Sequence, residues 1–430
     1  MARDETNSTG ENQAMSTHRI TRRRFLHTAA ATVATVHIVP RHVLGGPGKA
    51  APSDTVTYGV IGNGRRADSG INCLGARKRI AICDVDSTHL RPRGSKKSAP
   101  ADASITTYDD YRKMLERKDL DVVAIGTPPH WHALPCIHAA QAGKDIFCEK
   151  PMTKFIAEGR AVADAVARYG VVFQIGTFGR FKNAGRKDHV VNHQIIAHGL
   201  MKDVDGTVAF TGAQNRVGKP ALPKQPVPAS LDYDLWLGPA PYKPYNKARV
   251  HYSNRFYWDY EGGDLTNFGF HSFDPFQWTY AKDDTSPVKI EPSAHWPQHP
   301  DAVCPFNWVE LTYADGLKVV ITGGKGGQKY DRPKARGMVA EKDLDDAGRK
   351  KLAELPAPPP LIRFGEAVRT RQQAGGGAES SHRTSTALNL ANIAIRLGRT
   401  IRYDPVAEQI VGDEQANRFV NIPMRAPWHL

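Results

Sequence analysis

From residue 54 onward the chain alternates short apolar runs with amphipathic stretches. Val56-Thr57-Tyr58-Gly59-Val60-Ile61 is β-prone almost throughout, the pattern of a parallel strand buried on both faces. Comparable runs recur at Arg79–Cys83, Asp121–Gly126, Asp145–Cys148 and Val171–Ile175. Between them, residues 109–117, 133–142 and 157–169 suit helices. Strands alternating with helices predict an α/β fold with a doubly wound parallel sheet. Near residue 176 the regular alternation stops. Asp205–Phe210 and Trp308–Gly323 read as strands, and helices over 363–371 and 384–397 are expected to finish the chain. The Pro-rich stretches 220–244 and 356–360 read as loops, and the Gly-rich 372–380 as a flexible turn.

The first fifty residues break this pattern. Thr21-Arg22-Arg23-Arg24-Phe25-Leu26 precedes a modest apolar stretch, Ala29 to Val39, that is too short and too polar for a stable membrane span. Twin arginines ahead of such a stretch mark a bacterial twin-arginine export signal. The expectation is therefore an exported, periplasmic or cell-surface protein whose first partner is the twin-arginine translocase. A cleavage point near residues 45–53 and an uncleaved anchor both stay open. The domains expected are a signal and linker over 1–50, a nucleotide-binding domain over 54–175 and a second domain over 176–430.

Length and composition fit this picture. A chain of 430 residues suits two domains plus a tail. The net charge is +14, but residues 1–50 hold seven Arg and Lys against three Asp and Glu, leaving 51 against 41 beyond them. No dense basic run interleaved with aromatics follows residue 50, so no nucleic-acid partner is expected. Five cysteines without C-x-x-C spacing argue for reduced thiols rather than a disulfide framework or a zinc ribbon.

The chemistry begins where the first strand ends. Gly62-Asn63-Gly64-Arg65-Arg66-Ala67 reads G-x-G-x-x-A. Gly62 permits a tight turn, Gly64 lets the backbone approach a pyrophosphate, and Ala67 allows close helix–strand packing. A helix following the turn would present free N–H groups and a positive dipole end to the phosphates. About twenty residues on, at the end of the second strand, Asp84 can accept from the adenosine ribose hydroxyls and repels an added phosphate. NAD is therefore the expected cofactor. NADP is less favoured, although Arg91 and Arg93 nearby keep it open.

Two further segments stand at strand ends: Thr127-Pro128-Pro129-His130-Trp131-His132 and Glu149-Lys150-Pro151. Together with the glycine turn, and in this order, they resemble the Gfo/Idh/MocA oxidoreductases. Leu231-Asp232-Tyr233-Asp234-Leu235-Trp236-Leu237-Gly238-Pro239-Ala240-Pro241 is similar to a segment common in exported members. Gly262-Gly263-Asp264-Leu265-Thr266-Asn267-Phe268-Gly269-Phe270-His271 is similar to the family's G-G-x-x-x-D-x-G-x-H element. The resemblance covers residues 54–430. It implies a Rossmann domain followed by an α+β domain with a large, mostly antiparallel, open-faced sheet. Such a face usually needs a cover, so a homodimer or homotetramer is expected.

The resemblance also implies roles. Lys150 contacts substrate hydroxyl and cofactor, after a cis bond to Pro151, and an ammonium there stabilises a developing alkoxide. His271 is the expected general base, because oxidising a secondary alcohol removes a proton from oxygen as well as a hydride from carbon. Gly62, Gly64, Arg66, Ala67, Asp84, Thr127, His132, Glu149 and Lys150 form the expected cofactor set. Arg180, Trp258, Asp259, Asn267 and His271 form the expected substrate set, with Trp258 in an aromatic run that could stack on a sugar ring. Asn267 departs from the family, which often has aspartate there; an amide can orient a hydroxyl but cannot take its proton. His189 and His193 share helical spacing compatible with a metal, yet exposed helix histidines are the simpler reading, and no metal site is expected.

Three functions follow. The first is NAD(H)-dependent oxidation or transhydrogenation of a carbohydrate or polyol secondary alcohol, with tightly held, recycled cofactor. The second is a redox-cycling glycosidase that works by oxidation and elimination. The third is a non-catalytic sugar- or nucleotide-binding homologue.

Overall fold

The structure, a computed structural model, describes residues 55–67, 70–91, 104–201, 208–212, 216–324, 327–330 and 337–430. The twin-arginine segment, Arg93 and the first half of the strand expected at Asp205–Phe210 lie outside them. Residues 55–430 pack as one unit.

Six strands form the first sheet: β1 Val56–Ile61, β2 Arg77–Cys83, β3 Thr106–Tyr108, β4 Val122–Ile125, β5 Asp145–Cys148 and β6 Phe173–Ile175. They are all parallel and lie in the order β3-β2-β1-β4-β5-β6. This is the doubly wound sheet that the alternation predicts, and its order reverses between β1 and β4. In sheets of this kind ligands bind at the carboxyl ends of the strands where the order reverses.

The two faces of this sheet are covered differently. Ile61, Val123, Ile125, Ile146 and Cys148 pack under the helices Ala133–Gln141 and Ile156–Tyr169, close to the expected positions. On the other face, the helix expected after the glycine turn is reduced, among the described residues, to a four-residue 3-10 helix, Ile71–Leu74. The apolar surface of Tyr58, Val60, Val122, Ala124 and Phe147 is covered instead by the helix Phe364–Thr370 from late in the chain. Phe364 meets Phe147 edge-on at 5.7 Å. A Cβ on Gly365 would fall 1.8 Å from the Cys73 carbonyl oxygen, so only glycine lets this helix approach. Burying Phe364 completely contributes roughly 1.5–3 kcal/mol.

The second sheet comprises β7 Val208–Gly212, β8 Lys289–Ala294, β9 Phe306–Thr312, β10 Lys318–Thr322, β11 Ile401–Asp404 and β12 Gln409–Ile410. Its order is β12-β11-β8-β9-β10-β7, antiparallel except for the β10–β7 pair. Val309, Leu311, Val319 and Ile321 face a core shared with the helix Ala378–Leu397. Trp308 and Val320, on the opposite face, meet Tyr330 from the same chain. That helix begins six residues before the expected Thr384, inside the stretch that reads as a turn. Buried Ser381 and His382 hold it there: His382 sits 2.9 Å from Glu408, and Glu379 and Arg383 pair one turn apart at 2.8 Å. Nor do helices finish the chain, since β11, β12 and a short helix, Glu414–Asn417, follow. All five cysteines are free. No helix among the described residues is long and apolar enough to cross a membrane.

Candidate active site

At the end of β1 the backbone turns sharply. Gly62 has φ +78°, and a Cβ there would lie 2.6 Å from the Thr127 nitrogen, so both conformation and space require glycine. A Cβ on Gly64 would meet nothing within 4 Å. Asn63 ties the turn to the end of β2: its N–H donates to Asp84 Oδ2 at 2.8 Å, and its amide to the carbonyls of His89 at 2.6 Å and Arg91 at 2.7 Å. Asp84 Oδ1 accepts from the Asp86 N–H at 2.9 Å. Thr127 Oγ1 is buried without a hydrogen-bond partner. Open space over Gly64, an orphaned hydroxyl at the end of β4 and a carboxylate at the end of β2 fit a dinucleotide, with phosphates over the turn and ribose at Asp84. The phosphates would meet turn amides rather than the dipole of a long helix, which corrects the sequence expectation.

Lys150 follows β5 through a cis bond to Pro151. Its Nζ donates to the Asn267 carbonyl at 3.0 Å, bridging the two halves of the molecule. Burial lowers the lysine pKa; the carboxylates of Glu261 and Glu149 oppose that shift, and the guanidiniums of Arg255 and Arg66 reinforce it. His271 lies on the helix Gly269–Thr279 with part of its ring open to solvent. Desolvation of the sheltered part, then the charges of Lys150 and Arg66, hold its pKa at about 4. The ring is therefore neutral at pH 7 and able to accept a proton. The charges of Lys150 and Arg66 thus both act on His271.

Asn267 does not stand alone. Its Oδ1 accepts from Arg255 at 2.9 Å, and its Nδ2 donates to Glu261 Oε1 at 2.8 Å. Glu261 is buried, and desolvation pushes its pKa up while Lys150 and Arg255 hold it down. A carboxylate is thus present beside Lys150 after all, six residues earlier than expected. Sequence reading missed Glu261. Its one signal is a glutamate wedged between the aromatic run and Gly262-Gly263.

His132 is fully enclosed, with Nδ1 2.8 Å from the Pro151 carbonyl and Nε2 2.8 Å from that of Thr127. A neutral ring donates to one of the two, and the histidine braces the Thr127 loop against the Lys150–Pro151 turn. Glu149 is buried beneath Gly176, where a Cβ would come within 2.9 Å of its carboxyl carbon. Ala67 is buried and packs against Gly126.

Three of the expected substrate residues are engaged with partners within the protein. Arg180 is completely buried, bonded to both oxygens of Asp274 and to Asp283 at 3.0 Å and the Gly375 carbonyl at 2.9 Å. It clamps a helix, with its guanidinium taken up by these protein partners. Trp258 is also buried, donating to the His299 carbonyl at 3.0 Å, with Arg396 lying 5.0 Å over its ring. Asp259 is half-buried, 3.7 Å from Lys243. His189 and His193 are half-buried rather than exposed: His189 bonds Thr279 Oγ1 at 2.9 Å, and His193 stacks on Trp278 at 4.7 Å. Metal-ligand spacing occurs instead, among the described residues, at Asp86, His89 and His251, a grouping that sequence reading did not assemble.

A family model described as "Oxidoreductase family, NAD-binding Rossmann fold" matches residues 56–177. The family's "C-terminal alpha/beta domain" model matches residues 183–430, more than half of the chain. This chain belongs to the Gfo/Idh/MocA oxidoreductase family. Among curated proteins, this family member is 32% identical over 174 residues to a glycosyl hydrolase family 109 protein of Shewanella pealeana, covering 35% of this chain and 38% of that protein. It is 42% identical over 66 residues to the levoglucosan dehydrogenase of Pseudarthrobacter phenanthrenivorans, covering 15% and 17% of the two chains. The match thus spans little more than a third of the first of these relatives. The fold also matches the WlbA dehydrogenase of Chromobacterium violaceum, solved with NADH and UDP-GlcNAcA (TM-score 0.52, 15% identity, 82% of this chain and 96% of that one). A second match is the aldose-aldose oxidoreductase of Caulobacter crescentus, solved with glycerol (TM-score 0.50, 16% identity, 81% and 99%).

Proposed function

We propose that this Gfo/Idh/MocA protein is an NAD(H)-dependent oxidoreductase acting on a secondary alcohol of a carbohydrate or polyol, with a cofactor held tightly and recycled. The observation that carries this reading is a half-buried ammonium, Lys150, just past a sheet-strand end and bonded to the Asn267 carbonyl of the other half, in electrostatic reach of a neutral imidazole, His271. Bound nicotinamide would supply the hydride acceptor and donor. Lys150 orients the substrate oxygen and stabilises its developing negative charge. His271 accepts the hydroxyl proton as the carbon–hydrogen bond breaks, and returns it in the reverse direction. Asn267 and Glu261 hold Lys150 in place.

Asp84 supports NAD over NADP, because a carboxylate at the ribose repels a 2′-phosphate. Export by the twin-arginine route to the periplasm or cell surface belongs to the same proposal, since a nucleotide carried out with the folded protein must be regenerated in place. A homodimer or homotetramer covering the second sheet completes it.

The test is to denature purified protein and identify the released nucleotide by mass, then to screen sugars and polyols for a change in the absorbance of reduced nicotinamide. Release of NAD(H) and turnover with a carbohydrate are expected. Protein that binds no dinucleotide at any concentration would end this reading.

The similarity to glycosyl hydrolase family 109 proteins favours a second reading over the same residues. Transient oxidation of the C3 hydroxyl acidifies the C2–H, loss of that proton expels the glycosidic oxygen from C1, water adds back across the C1–C2 double bond, and the C3 ketone is reduced again. Aglycone release without net NADH, with solvent deuterium entering at the acidified carbon, identifies it.

A further inference from the structure

The segment His251–Phe256 is a six-residue 3-10 helix held by buried residues on both sides, with His251 and Tyr252 exposed and Asn254 buried. Before it, Arg249 is buried in a two-pronged bond to Asp301 at 2.9 Å, and Val250 lies in a hydrophobic cluster. After it, Tyr257 and Trp258 are buried. Between these anchors the segment touches three successive stations of the nucleotide crevice. His251 Nε2 lies 3.3 Å from Asp86 Oδ2, and its ring meets that of His89 edge-on at 5.2 Å, at the ribose end beside Asp84. Tyr252 has Arg65 of the glycine turn 5.7 Å over its ring, and its hydroxyl accepts from Arg216 at 3.1 Å. Arg255 reaches Asn267 at 2.9 Å, at the Lys150 end.

His251 also adopts φ +50°, a left-handed conformation that costs a non-glycine residue of order 1 kcal/mol. The fold keeps that strained residue where its ring can reach the opposite half. The Asp86–His89–His251 grouping is explained by the same arrangement, as a latch of one carboxylate and two imidazoles.

We propose that residues 251–256 form a strap over the dinucleotide, joining the second domain to the Rossmann half along the cofactor's length and slowing its release. The inference rests on the NAD(H) reading above. Among the described residues the space over Gly64 is open, and Tyr252 meets the next residue of that turn, Arg65, beside where the phosphates would lie. His251 latches the ribose end, Tyr252 crosses at the glycine turn, and Arg255 joins the strap to the residues that position Lys150. A cofactor enclosed in this way leaves only when these cross-contacts open together. This supplies a physical route to a nucleotide retained through many turnovers.

The experiment loads the full protein with NADH, chases with excess NAD, and follows the loss of bound-NADH fluorescence. His251→Ala and Tyr252→Ala are each expected to speed release about tenfold, and the double variant more, with the thermal unfolding of the unloaded protein little changed. Hydrogen exchange on the wild type is the second measurement, and it does not depend on how the variants fold. Backbone amides of 251–256 should exchange more slowly once NADH is bound. Release rates within twofold of wild type, or strap amides indifferent to NADH, would overturn the strap while leaving the functional reading intact. Failure of wild-type protein to bind NADH at all would remove both.

Discussion

Glu261 shows how one unexpected side chain changes the reading of a site. Asn267 alone suggests a lost catalytic carboxylate, but the amide hydrogen-bonds Glu261, whose charge acts on Lys150. Removing that anion disfavours the ammonium form, so Glu261→Gln should lower the lysine pKa further. The alkaline limb of the kcat profile should move to lower pH, with kcat reduced roughly tenfold or more as Lys150 loses its position. Adding Asn267→Asp to that variant should restore part of the rate. A profile that superimposes on the wild type would show Glu261 to be structural only. His271 makes a separate prediction. Its pKa of about 4 means that the ring stays unprotonated far below the usual histidine range. The acid limb of kcat/KM is therefore expected near pH 4 rather than near 6.5, and His271→Ala should abolish turnover while leaving dinucleotide bound.

The elements owe their positions to a few buried polar clamps. The helix that presents His271 is held through Asp274, which receives the buried guanidinium of Arg180 together with Asp283. Gly179 permits the approach, since a Cβ there would stand 2.3 Å from Pro275 Cγ. Breaking a buried ion pair from one side leaves an uncompensated charge, so Arg180→Met should destabilise the protein by about 3–5 kcal/mol. Denaturant titration measures this loss, and KM for substrate in the surviving folded fraction should be unchanged. A selective rise in KM with normal stability would return Arg180 to the substrate site. The helix Phe364–Thr370 illustrates the same point with apolar surface: the sheet's exposed face is completed by an element that its own crossover does not supply.

For the whole molecule, buried histidines set the acid stability. His130 is enclosed, with Nε2 3.0 Å from the Trp236 carbonyl, and desolvation lowers its pKa to about 3. In the unfolded chain the same ring titrates near 6.5. Between those values the unfolded state binds the proton and the folded state does not, so stability falls as pH drops from about 6.5 toward 3. The loss is on the order of a few kcal/mol. His132, also depressed by burial, adds to it with the same sign. Thermal unfolding followed from pH 7 to pH 4 should show the decline, and His130→Gln should flatten it.

The parallel sheet, the glycine turn and the strand-end positions of Asp84, Thr127 and Lys150 were legible in the chain, because each depends on local period and turn chemistry. An apolar run followed by Gly62 and Gly64 can do little else. Residues whose roles depend on distant partners were not legible. Glu261, the enclosure of Arg180 and Trp258, the early start of the Ala378 helix and the docking of the Phe364–Thr370 helix on the first sheet all rest on contacts between segments far apart in sequence. Local periodicity is indifferent to such contacts; only packing decides whether a charged or aromatic side chain faces ligand or core.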